Sequence, residues 1–191
     1  RAGAPPSWGV MRDRFRSIGG LDRLDAMWQE WERWFVEVEE THQGLSALVF
    51  LRSPRPELSW VTAAGCVLDA AAITISAVDL PGTAPYARLC IRAGFLCLRR
   101  ISAFFGLPFD ADPQPGDPIA VTKDEFLEAL DRLASAGVPI KSDRERCWTD
   151  FSGWRVNYDV PLLSLAGAVM APIAVWSSDR SPVFSARFRR P

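Results

Sequence analysis

"LDRLDAMWQEWERWFVEVEETHQGL", residues 21–45, decides the fold. Its seam positions are Leu21, Leu24, Trp28, Trp31, Phe35, Val38, His42 and Leu45, spaced three, four, three, four throughout. An α-helix turns once in about 3.6 residues, so this spacing gathers them on one narrow stripe, a heptad seam. Met27 and Trp34 widen the stripe on one flank. The remaining positions carry Asp22, Asp25, Glu30, Glu32, Glu37, Glu39 and Glu40 against Arg23 and Arg33, which predicts a long acidic amphipathic helix.

The three tryptophans of this helix allow two readings. Exposed indoles stack bases or sugars. Trp28 and Trp31 lie on the seam, however, and the surrounding acids repel phosphate. The stripe of Trp28, Trp31, Trp34, Phe35, Val38 and His42 therefore reads as a packing or interface seam. Whether it closes against its own domain or against copies of itself stays open. Glu39 and His42 form the i, i+3 pair used in helical dimetal sites, which need two such pairs. With one histidine in the chain, no metal site is expected in a monomer.

Downstream, "SWVTAAGCVLDAAAITISAV" (residues 59–78) is apolar on most sides, with Asp69 its single charge. Its length permits a membrane span. Its small residues, hydroxyls and central carboxylate favour a helix sandwiched between neighbours. A third helix is predicted over about residues 84–105, with a core stripe of Cys90, Ile91, Gly94, Cys97, Leu98, Ile101 and Phe104. Arg88, Arg92 and Arg99 line one of its sides, and no acid occurs between Asp79 and Asp110. A lone carboxylate in an apolar helix needs a partner. Arg92 is the first candidate, with Arg88 or Arg99 next, either as a structural ion pair with Asp69 or as a polar ligand pocket.

"GLPFDADPQPGDP" then breaks the chain. Thr122 with Glu125 forms a capping box, and Gly137 closes the helix it opens. A second box, Ser142 with Glu145, is expected to start a last long helix, which Pro161 must kink or split. No strand-like alternation reaches a useful length. The fold class is all-α: a compact multi-helix domain of about five to six helices with a long acidic first helix. Residues 1–16 read as a basic lead-in, 17–180 as the helical domain and 181–191 as a basic tail.

A net charge of −1 argues against a nucleic-acid partner. Twenty arginines stand beside Lys123 and Lys141, a bias that a GC-rich genome explains in a chain so rich in Ala, Gly and Pro. Cys66, Cys90, Cys97 and Cys147 form no CxxC motif, and no signal peptide opens the chain, so a reduced intracellular setting is expected. Phosphate loops and GxSxG elbows are missing, and the cysteines sit on apolar stripes where thiols are inert. No enzyme activity, catalytic residue or cofactor is expected.

"GGLDRLDAMWQEWERWFVEVEETH", "FLRSPRPELSWVTAAGCVLDAAAITISAVD", "LCIRAGFLCLRRISAFFG" and "DFSGWRVNYD…MAPIAVWSSDR" together resemble the cytoplasmic C-terminal region of bacterial, especially actinobacterial, potassium-channel-like proteins. The similarity covers roughly residues 17–180. In that family a two-helix pore unit with a selectivity filter precedes a helical soluble region. This sequence carries no pore helices and no TVGYG-like filter, so conduction cannot be assigned to it. The resemblance implies a regulatory or assembly domain at the cytoplasmic face of the bacterial inner membrane. It further implies self-association through the pore unit and a membrane part upstream of Arg1, which the missing initiator methionine fits. The alternative is a free-standing helical binding module with a small polar-ligand pocket near Asp69 and Arg92. A third expectation is a peripheral membrane protein using the basic ends, Arg12, Arg14 and Arg16 with Arg187, Arg189 and Arg190.

Overall fold

The computed structural model describes residues 24–45, 49–50, 59–79 and 84–185. The expected lead-in, the start of the seam at Leu21 and the tail arginines lie outside these residues. Within them the fold is all-α. Six helices run in the order α1 (Leu24–Gly44), α2 (Trp60–Ala77), α3 (Pro85–Phe104), α4 (Lys123–Ser135), α5 (Arg144–Arg155) and α6 (Asp159–Ala168). The described residues hold no strand beyond one antiparallel bridge between Val78 and Ile140.

α1 packs along α3, and the seam is what it buries: Trp28, Phe35, Val38 and His42 are all inside, with Met27 beside them. Trp31 and Trp34 are half-buried and meet edge to face at 4.9 Å, and Trp34 meets Phe35 at 5.1 Å. The expected final seam residue, Leu45, is exposed because the helix ends at Gly44. α3 lies between α1 and α2. Gly94 marks the crossing: a Cβ there would stand 2.5 Å from Leu68 Cδ2 of α2 and 2.9 Å from the Phe35 ring of α1.

α2 is the apolar helix long enough to cross a membrane by length and composition, and its sides are covered by α3, α5 and α6. Fourteen of its eighteen residues are buried. Gly65 is the counterpart of Gly94 on the other face, since a Cβ there would meet Ser177 Oγ at 2.6 Å and Leu162 at 3.0 Å. After α2, the bridge is reinforced by Asp79 N–H donating to Pro139 O (2.8 Å) and Lys141 N–H to Ala77 O (2.9 Å). The Lys141 ammonium also donates to Ile75 O (2.9 Å) and Ser76 O (3.1 Å), carbonyls left open at the helix end.

The helix ends follow local chemistry. Thr122 and Glu125 form the expected reciprocal capping box of α4. Three helices close with the paired 6→1 and 5→2 bonds of the Schellman motif. In α3 these are Leu107 N–H to Ser102 O (2.8 Å) and Gly106 N–H to Ala103 O (3.1 Å); in α4 they are Val138 to Leu133 (3.1 Å) and Gly137 to Ala134 (2.8 Å). In α6 they are Ala171 to Ala166 (2.9 Å) and Met170 to Gly167 (3.1 Å). Gly106 and Gly137 take the left-handed position without strain, whereas Met170 occupies it at φ +47°. Two expectations are corrected. Asp143, not Ser142, caps α5, accepting from Arg146 N–H at 2.9 Å. The long last helix is two helices, and the break falls at residues 156–158, before Pro161. Pro161 sits in the first turn of α6, where a missing N–H costs nothing.

Candidate functional site

Asp69, in the middle of α2, is buried, and so is the cation that meets it. That cation is Arg155, the last residue of α5, which is 0% exposed against 1% for Asp69. Its guanidinium is spent on three sides. Nη1 donates to Asp69 Oδ1, Nε to Asp159 Oδ1 at 2.7 Å, and Nη2 to Trp176 O at 2.6 Å. Tyr158 closes the group: its hydroxyl donates to Asp69 Oδ1 at 2.9 Å, and its ring lies 5.0 Å from the Arg155 guanidinium carbon. The second oxygen of Asp159 accepts from Ala120 N–H at 3.0 Å. One network therefore joins α2, the α5–α6 break, the segment before α4 and the turn after α6.

Local sequence explains the assembly. Arg155 and Asp159 are four apart across the break, and Asp159 stands in the first turn of α6, where a carboxylate meets the positive end of the helix. Burial pushes the Asp69 carboxyl up; Arg155 and the Tyr158 hydrogen bond pull it back only in part. The Tyr158 phenol is pushed well above its ordinary value by burial and by the Asp69 charge. Burial alone would lower Arg155, and the two carboxylates overcome it and hold the guanidinium charged. Two carboxylates around one cation, sealed from water, act as a structural clamp.

The partner expected for Asp69 is thus corrected. Sequence order suggested the arginines of α3, but α2 packs against α5 on another face, and Arg155 arrives there already paired with Asp159. Arg92 is exposed. Arg88 lies over the Trp154 ring at 5.7 Å. Arg99 donates to Asn157 O (2.9 Å), Asn157 Oδ1 (3.0 Å) and Ala111 O (3.2 Å), tying the Pro/Asp loop to the α5–α6 break. Asp69 is sealed in the core, whereas Arg92 lies on the surface. Arg155, Tyr158 and Asp159 escaped the sequence reading, although their i, i+3, i+4 spacing beside an apolar run was a visible signal.

The four cysteines and the histidine are also inside. All four cysteines are buried as free thiols. Burial pushes each thiol up, Cys97 to about 12, which leaves almost no thiolate at neutral pH. His42 Nδ1 lies 2.8 Å from Val38 O, which fixes it as a donor, and its ring lies 4.8 Å from Trp60. Burial lowers its pKa. Its neighbour in the i, i+3 pair, Glu39, receives Arg100 Nη1 at 2.6 Å. Among the described residues, no three His, Cys, Asp or Glu side chains converge as a metal-binding group. No family model matches the chain, and no curated protein or solved structure matches it.

Proposed function

We propose that this chain is the non-enzymatic cytoplasmic regulatory or assembly region of a bacterial potassium-channel-like membrane protein, at the inner face of the membrane. The observation that carries the reading is the resemblance of residues 17–180 to that family's cytoplasmic region. Its quoted stretches fall on α1, α2, α3 and the α5–α6 clamp. The use of the side chains supports it. The buried carboxylates are committed to Arg155, the cysteines to the core and the histidine to a carbonyl, each in the service of packing. A bundle clamped at one buried point moves as a unit, which suits a part that acts on a pore by position. Self-association follows from the pore symmetry, and the reading requires neither cofactor nor nucleic acid.

The test is the coding sequence upstream of Arg1. Two apolar spans flanking a filter sequence are expected there. An open reading frame that begins near Arg1 overturns the proposal.

A further inference from the structure

Just past α6 the chain turns apolar side chains toward solvent. Met170, Ile173 and Val175 are 72%, 79% and 54% exposed, and among the described residues no other large hydrophobic side chain is as exposed as the first two. No charged residue occurs from Val160 to Ser178. The loop is held from within. Trp176, at φ +62°, is buried with its ring 5.8 Å from that of Phe151, and its carbonyl accepts from Arg155 Nη2. Ala174 is buried as well, while Ile173 and Val175 on either side of it are exposed. Much of the loop backbone is paired inside the protein. Ala171 N–H donates to Ala166 O (2.9 Å), and the N–H groups of Ser177 and Ser178 donate to Ala174 O (3.2 and 3.1 Å). Ser178 Oγ accepts from Ala174 N–H at 2.9 Å and donates to Pro172 O. A loop with peptide groups paired inward and aliphatic side chains outward enters a water-poor medium at low cost. A side chain four-fifths exposed stands out as a peg. A protein partner needs a matching socket for it, whereas lipid chains close around any aliphatic shape. After Asp179 the sequence carries Arg180, Arg187, Arg189 and Arg190 and no acid, a sign of charge that complements anionic lipid.

From this arrangement we infer that the loop of residues 170–175 is a lipid contact, with Ile173 and Val175 entering the interface of an anionic bilayer beside Met170. The contact needs no pore upstream of Arg1, so vesicle binding and the upstream reading frame fail or succeed separately. The full chain is floated with vesicles of equal parts phosphatidylcholine and phosphatidylserine, and with vesicles of phosphatidylcholine alone. Binding is expected to the first and more weakly to the second. Ile173→Ser is expected to weaken it about tenfold, and the double variant with Val175→Ser further. Both side chains are exposed, so the unfolding midpoint is expected to stay in place. Val36→Ser changes a side chain 48% exposed on α1 and is expected to bind as wild type does. Insertion itself is read in Ile173→Cys labelled with a nitrobenzoxadiazole thiol reagent, since the four native thiols are buried. Its emission is expected to shift to the blue when vesicles are added. Absence of flotation, an equal loss in Val36→Ser, or a fluorophore that stays in water overturns the inference. So does a wild-type dimer that Ile173→Ser dissociates, which would assign the loop to a second copy of the chain.

Discussion

Arg155 is a guanidinium without access to water, held by two carboxylates, a carbonyl and an aromatic face. Its partners have been taken from water too, so the stability it confers is conditional on the whole set. Arg155→Met would strand two buried carboxylates and is expected to cost about 3–5 kcal/mol. Asp69→Asn is a different change. The amide oxygen still accepts from Tyr158 and Arg155, and a neutral Arg155–Asp159 pair remains, so the loss is expected near 1 kcal/mol. Urea unfolding of both variants checks this, and equal losses would contradict the asymmetric clamp. The lone acid in an apolar helix was legible as a residue in need of a partner. Its partner was not, because periodicity within a helix says nothing about which distant helix covers each face.

Among the elements, α3 owes its position to a missing side chain. At Gly94 the helix is flanked by Leu68 on one side and Phe35 on the other, both inside the distance any Cβ tolerates. Gly94→Ala must push α1 and α2 apart or force those side chains off their rotamers, and is expected to cost about 1–3 kcal/mol. Gly153, inside α5, supplies the control. A Cβ there meets only Pro115, at 3.9 Å, so Gly153→Ala is expected to stabilise by about 0.5–1 kcal/mol through helix propensity. Thermal unfolding of the pair decides it; two changes of the same sign would refute the packing argument. The stripe of α3 and the capping box of α4 were legible because both are written in residues three or four apart. The division of α5 from α6 was misplaced, since Pro161 is the stronger local signal. The break is set instead by the long-range bonds of Arg155 and Asp159.

At the scale of the whole molecule, the segment after α6 straps back over the bundle through Arg180. Its guanidinium donates to Ala120 O (2.9 Å) and to both oxygens of Glu125 (2.9 and 3.1 Å). Since Ala120 N–H is held by Asp159, the backbone of one residue links the buried clamp to the surface strap. Arg180, assisted by the Thr122 cap, holds the Glu125 carboxyl at about 2, below its ordinary 4.5. A carboxyl lowered on folding binds fewer protons in the native state than in the unfolded one. Its contribution is therefore complete above about pH 4.5 and is lost as the pH falls through about 2. Because the pair meets solvent, screening confines that contribution to about 1 kcal/mol. Glu125→Gln isolates it, since glutamine preserves the capping-box geometry while removing the titrating charge. Wild type is expected to exceed the variant by about 1 kcal/mol at pH 7, and the gap should close between pH 4.5 and 2 as the wild-type carboxylate becomes a neutral acid like the variant's neutral amide. Other carboxylates titrate in both proteins and cancel in the difference. Parallel urea titrations across that window measure it, and a gap that stays constant down to pH 2 would show that Arg180 holds the strap by hydrogen bonding alone.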